Sequence, residues 1–230
     1  VVWRASVGGR VQCPPTLAGN RALVACADGW IYCLDAADGA LAWRFRVAPQ
    51  DRQILANDQL ESAWPVHGSV LVKDGIATAV AGRSMFLDGG MRLVRLEVAT
   101  GRLLNEEILD EVDPTTGQPL ENDLAGMNLP VSVPDLLSAD DRHLYMMSQT
   151  FSPEGKRSRV APYGGSGESG PKKAPPVEES HLFSNYRGML DDSWHTRSYW
   201  IYGTWMSGGS GGWYQAGQRQ PSGRIMVFDG

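Results

Sequence analysis

Cysteine is scarce, net charge is modest and long apolar runs are missing, and each shortage removes a class of protein. The three cysteines, Cys13, Cys26 and Cys33, leave at least one thiol without an intramolecular partner, so cysteine usage sets no redox compartment. Cys26 and Cys33 flank a turn at Asp28-Gly29. A two-residue turn there would pair Cys26 with Ile31 and leave Cys33 diagonal to it, poorly placed for a disulfide. Both then read as small buried hydrophobes. No apolar stretch reaches the ~18 residues of a membrane helix. Val1-Val-Trp-Arg lacks the basic start and apolar core of a signal peptide. A formal net charge of −5 argues against a nucleic-acid partner held through phosphates.

Catalytic and metal signatures are equally thin. There is no Gly-x-Ser-x-Gly nucleophile elbow and no phosphate-cradling loop. The histidines, at 67, 143, 181 and 195, have no close ligand spacing, so no metal site is expected. The acidic run Glu106, Glu107, Asp110, Glu111 and Asp113 reads as an exposed surface. No segment keeps a helical period; Glu106 to Val112 is the best helical candidate and could equally be a polar loop.

What is abundant is turn chemistry. With 27 Gly, 14 Pro and 42% hydrophobic residues, the chain can bury a core while turning often, which points to all-β architecture. The stretch Cys33-Leu-Asp-Ala-Ala-Asp-Gly-Ala-Leu-Ala-Trp43 reads as strand, tight polar turn and strand. A second copy follows at Arg95-Leu-Glu-Val-Ala-Thr-Gly-Arg-Leu-Leu-Asn105, and a third begins at Val227-Phe-Asp-Gly230. Val2-Trp-Arg-Ala-Ser-Val7 echoes Ala42-Trp-Arg-Phe-Arg-Val47 forty residues on. A β unit repeating at that interval is the signature of a propeller blade.

These residues resemble the repeat of the pyrroloquinoline-quinone-type β-propellers, whose blades carry an Ala-x-Asp-x-x-x-Gly-x-x-x-Trp docking motif. Asp35, Gly39 and Trp43 match it, with Cys33 where Ala is usual. In the second copy Gly101 matches, Glu97 replaces Asp and Asn105 replaces Trp, so that blade should dock less firmly. The resemblance covers the first 110 residues or so and implies that Trp43 packs on the equivalent turn of a neighbouring blade. It implies a β-propeller of four-stranded antiparallel blades, of which about three to four are present. It also implies a larger exported bacterial protein, periplasmic or extracellular, from which residues 1–230 would be a single propeller domain cut at both ends.

Along the chain, blade one has strands near Leu17, Ala22–Cys26, Trp30–Leu34 and Leu41–Phe45. A polar connection runs from Pro49 to Glu61. Blade two has strands near Ser69–Val72, Ile76–Ala81, Arg92–Glu97 and Leu103–Glu107, and Met85 to Gly90 should lengthen its central hairpin and project from one rim. Blade three shows strands around a turn at Asp140-Asp141-Arg142. Residues 152–179 are rich in Gly, Ser, Pro and Lys and should form a flexible insertion, open to proteolysis near Lys156, Arg157 or Lys172.

The candidate ligand site is the aromatic segment from His181 to Gly217, which holds nine of the chain's twenty aromatics. Asp191, Asp192, Trp194, His195 and Trp213 could form a shelf on which a sugar or other planar group stacks. The alternative is that Tyr199 to Tyr202 is one strand whose rings pack between blades. The expected function is a non-catalytic binding or scaffold module that takes a protein or glycan through rim loops near Asp191–His195 and Gly208–Gly212. Remaining blades of the same or another chain are further expected partners. Two enzymatic readings compete. One is a quinoprotein oxidoreductase using pyrroloquinoline quinone with calcium; the other is a propeller enzyme acting on polysaccharide. Quinoprotein dehydrogenases of this family carry an adjacent cysteine pair and a calcium site with an Asp base. No two cysteines are adjacent here, so no cofactor is expected.

Overall fold

The computed structural model describes residues 2–56, 58–114, 116–119, 134, 136–146, 149–158, 180–185, 199–203, 222–223 and 227. The first sheet is an antiparallel meander of four strands in sequence order: β1 (Thr16–Ala18), β2 (Arg21–Ala25), β3 (Trp30–Asp35) and β4 (Leu41–Arg46). A hairpin follows, β5 (Gln53–Ala56) with β6 (Gln59–Ser62). The second meander contains β7 (Leu71–Lys73), β8 (Ile76–Ala81), β9 (Met91–Glu97) and β10 (Leu103–Leu109). A three-stranded sheet is built from β11 (Leu137–Ala139), β12 (Leu144–Met146) and β13 (Gln149–Phe151). Another holds β14 (His181–Asn185), β15 (Tyr199–Gly203) and β16 (Ser222–Gly223). The described residues contain no helix, and the protein is an all-β propeller of consecutive antiparallel blades.

Period-two alternation sends each sheet's side chains to two different cores. In the first sheet Leu23 opposes Cys33 and Ala25 opposes Ile31, and these four face the second sheet. Ala22, Val24, Tyr32 and Leu34 take the other face, where Trp3 and Val7 cover them. In the second sheet Ala77, Ala79, Val94 and Leu96 complete the core shared with the first, while Val80, Met91 and Leu93 join Leu144, Met146 and Phe151 of the third. Ala77, Ala79 and Ala81 of β8 share this core with Ile31 and Cys33 of β3. Each fully buried Leu or Ile in these layers contributes roughly 1.5–3 kcal/mol. The central strands are therefore near-continuously apolar, whereas in β4 and β10 alternate residues are only half-buried.

The first strands of the sheets line up from one to the next. β1 neighbours β7, β7 neighbours β11, and β11 neighbours β14, as innermost strands do around a propeller axis. Side chains tie this row together. Thr16 Oγ1 donates to the Val70 carbonyl at 2.6 Å, Lys73 Nζ to the Asp140 carbonyl, and Ser138 Oγ to the Leu182 carbonyl.

Several sequence expectations need correction. Glu106 to Val112 is not helical: Glu106, Glu107, Ile108 and Leu109 lie in β10, held by pairing with β9. Ala25, not Cys26, opposes Ile31: Asp28 Oδ1 accepts the Trp30 amide, Gly29 takes φ +87, and the turn is one residue longer. The polar connection after Pro49 contains β5 and β6. Met85 to Gly90 does not project, since Met85 is buried in the second core and Asp88 is gripped by Arg52 and Arg83. The acidic run is not wholly exposed either: Asp113 is fully buried. The expected flexible insertion begins with an anchored hairpin over 152–158, in which Phe151 bridges Arg157. Residues 159–179 lie outside the described residues.

Candidate functional site

Asp191, Asp192, Trp194, His195 and Trp213, and the loop Gly208–Gly212, lie outside the described residues. Of the aromatic segment the structure describes β14 and β15, which pair with each other, so Tyr199 to Tyr202 is a strand. His181 stacks on Tyr145 with ring centroids 3.9 Å apart, and Tyr145 donates to Asp140 Oδ2 at 2.7 Å.

The repeat residues Asp35, Gly39, Trp43 and Gly101 form two equivalent contacts. Trp43 Nε1 donates to the Val98 carbonyl at 2.9 Å, and a β-carbon on Gly101 would come within 2.6 Å of that indole. Trp3 Nε1 donates to the Ala36 carbonyl at 2.9 Å, and its ring lies 2.5 Å from where a β-carbon on Gly39 would sit. Glycine is required at both places, because φ is +78 at Gly39 and +74 at Gly101 and a ring occupies the side-chain position. Both turns close the same way. Gly39 N–H reaches the Asp35 carbonyl and Asp35 N–H the Ala40 carbonyl; Gly101 N–H reaches the Glu97 carbonyl and Glu97 N–H the Arg102 carbonyl. Asp35 Oδ1 also accepts the Ala37 amide.

Where the second copy lacks tryptophan, a different contact replaces it. Asn105 Nδ2 donates to the Glu154 carbonyl at 2.9 Å, and the Arg95 stem lies 2.7 Å from the β-carbon position of Gly155. Arg95 opposes Asn105 across the sheet, as Cys33 opposes Trp43.

Two buried charge clusters were not legible as such in the sequence. Glu61 at the end of β6 is 1% exposed; Arg10 Nη2 lies 2.6 Å from its Oε1 and His67 Nε2 3.2 Å from its Oε2. Arg10 precedes β1 and His67 precedes β7, so Glu61 joins the two segments that lead to adjacent inner strands. Burial lowers the His67 pKa, opposed by Glu61 and reinforced by Arg10. Arg10 already neutralises the carboxylate, so burial prevails and the imidazole is held neutral. Cys13 Sγ lies 3.4 Å from the His67 carbonyl. In the second cluster Arg157, buried in the 152–158 hairpin, donates to the carbonyls of Asp110 and Val112 at 2.9 and 3.2 Å and to Gln149 Oε1 at 3.4 Å. Glu107 accepts the Arg157 amide at 3.1 Å. Part of the acidic run is thus a cage for one guanidinium, which explains why Asp113 is inside.

Cys26 and Cys33 face opposite sides of the first sheet, in two separate cores. Burial pushes the Cys26 thiol up to about 12 and raises Cys33 also. Among the described residues no group of three or more His, Cys, Asp or Glu is arranged to hold a metal ion.

At the rim, the β5–β6 hairpin carries a cross-strand pair of exposed leucines, Leu55 (74%) and Leu60 (65%). Its other face packs Ile54 into the core between the first two sheets.

Among curated proteins none matches the chain. Solved structures similar to it include a quinohemoprotein alcohol dehydrogenase from Comamonas testosteroni, at 13% identity and a TM-score of 0.47, covering 84% of this chain and 32% of that one. BamB from Moraxella catarrhalis is similar at 19% identity and a TM-score of 0.28, covering 67% and 61%. Sqt1 from Saccharomyces cerevisiae is similar at 13% identity and a TM-score of 0.43, covering 86% and 44%. The chain therefore spans about a third of the length of the alcohol dehydrogenase. A family model described as outer membrane protein assembly factor BamB matches residues 1–131, more than half the chain and both complete meanders, and the chain belongs to that pyrroloquinoline-quinone-type repeat family.

Proposed function

We propose that this chain is a non-catalytic scaffold that binds a protein partner at its rim, within one propeller domain of an exported bacterial protein in the periplasm or outside the cell. The observation that carries the reading is the Leu55–Leu60 pair. Two large apolar side chains stand exposed on one face of a hairpin whose other face is anchored in the core, within the segment matched by the assembly-factor family. A pre-positioned apolar pair of this kind offers a partner contact area at little ordering cost. The family's description as an assembly factor favours protein over glycan at this surface.

The binding module is proposed to use no quinone. The residues that would identify such a site by the family's pattern do not match it: the three thiols are spread over Cys13, Cys26 and Cys33 and face separate environments.

The test places a photo-crosslinking residue at position 55 or 60 of the full chain and at position 102 as an exposed control. The chain is then irradiated in an envelope extract. One discrete adduct from positions 55 and 60, lost on Leu60→Glu or Leu55→Glu respectively, is the expected result. No adduct, or the same adducts from position 102, would overturn the rim-scaffold reading.

A further inference from the structure

The connection after β10 contains a third turn of the kind that holds Trp3 and Trp43. Over residues 113–118, Gly117 N–H reaches the Asp113 carbonyl at 2.8 Å and Asp113 N–H reaches the Gln118 carbonyl at 2.9 Å. That is the backbone bond pattern of the Asp35 and Glu97 turns; Asp113 Oδ1 accepts the Thr116 amide, three positions on, where Asp35 Oδ1 accepts that of Ala37, two positions on. Gly117 has φ +67, close to the values at Gly39 and Gly101. One difference sets it apart. No described atom lies within 4 Å of the Gly117 β-carbon position, and the glycine is exposed.

We propose that this turn is an acceptor for an indole presented by an extended segment of a partner protein. In the two occupied turns the ring covers the glycine, and its N–H donates to the carbonyl one residue after the turn's first position, Ala36 or Val98. Pro114 is the equivalent residue here, and it is exposed. The mount is firm: Val112 bridges Pro119, Asp113 is fully buried, and Arg157 clamps the Asp110 and Val112 carbonyls. A rigid acceptor of this sort needs no reorganisation to receive a ring. Exposed Val112, Pro114 and Pro119 supply apolar surroundings. The occupant is taken to be a partner's because Trp3 and Trp43, the two described indoles seen on turns of this kind, already cover their own glycines. Of the others, Trp64 is 4% exposed, and the Arg44 and Arg46 guanidiniums lie 4.7 and 6.0 Å from the Trp30 ring centre.

This inference rests on the protein-binding reading and names a second contact point for it. The probe is a blocked peptide with the sequence of residues 41–47, which contains Trp43, titrated into the full chain labelled with 15N-glycine. A saturable shift of the Gly117 amide is expected. Binding should weaken at least about tenfold, or ~1.4 kcal/mol, when the peptide's tryptophan becomes alanine. Gly117→Asn should weaken it similarly, since Asn tolerates positive φ and preserves the turn while filling the ring's place. Gly19→Asn, at another open positive-φ glycine, should leave binding unchanged. A silent Gly117, movement confined to Gly39 or Gly101, or equal binding of the tryptophan-free peptide overturns the proposal. So does a Gly117 shift that appears with protein concentration alone, which assigns the turn to a second copy of this chain. Loss of this site with crosslinking at position 55 intact leaves the scaffold standing; the reverse result removes the scaffold and keeps the turn.

Discussion

At the scale of single residues, the indole of Trp43 combines an apolar contact with a hydrogen bond, and the two can be separated. Trp43→Phe keeps a ring over Gly101 but leaves the Val98 carbonyl without its donor, which should cost about 1–2 kcal/mol. Trp43→Ala removes both and should cost about 3 kcal/mol; urea unfolding of the two variants measures the difference. His67 supplies a pH signature. Its pKa is lowered in the fold, so the unfolded chain binds the proton more readily between the folded value and the ordinary value near 6.5. Its stabilising contribution is complete above that ordinary value and is lost as pH falls toward the folded one. Replacing His67 by Gln should flatten the stability-versus-pH curve in this window, and an unchanged slope would contradict the neutral assignment. The Cys26 thiol, raised to about 12, should resist alkylation at pH 8 until the first sheet opens.

At the scale of elements, the 152–158 hairpin depends on a buried cation instead of a hydrophobic anchor. Arg157→Met leaves Glu107 and Asp113 facing a site with no guanidinium, and a loss of about 3–5 kcal/mol is expected from thermal or chemical melts. For the same reason trypsin should cut slowly after Lys156 and Arg157 in the folded protein, a result that mass spectrometry of early fragments would show. The two complete meanders were legible from their residues: Ala22 to Cys26, Trp30 to Leu34 and Ile76 to Ala81 are apolar runs bounded by turn residues. The hairpin was not, because Ser152-Pro-Glu-Gly-Lys has the composition of a solvated loop, and its buried arginine finds Glu107, Asp110 and Val112 45 to 50 positions earlier. The turn at Asp113 was half legible. Its Asp-x-x-x-Gly spacing repeats that of Asp35 and Gly39, but Glu121 stands where a tryptophan would have drawn the eye. The charge cluster at Glu61 was opaque, since Arg10 is 51 positions away and no local pattern marks a carboxylate as buried.

At the scale of the whole molecule, the joints among the described residues run between sequence neighbours: inner-row hydrogen bonds, cores shared by the first and second and by the second and third sheets, and the Trp43 contact at the turn. The absence of vicinal thiols in this arrangement leads to a direct expectation. Added pyrroloquinoline quinone with calcium should neither co-elute with the chain nor confer dehydrogenase activity, and stoichiometric retention on gel filtration would refute it. Neighbour-only joining also has a consequence for the chain as it is being made. The first sheet is complete once residue 46 has emerged, yet Trp43 waits for Val98 and Thr16 for Val70, 55 and 54 positions later respectively. At about 5–20 residues per second, the inner face of that sheet, with Leu23, Ile31 and Phe45, stays uncovered for roughly 3–10 s until Val98 emerges. For that interval an emerging meander presents an apolar plane to its surroundings, and whatever shields it must release it as the second sheet arrives.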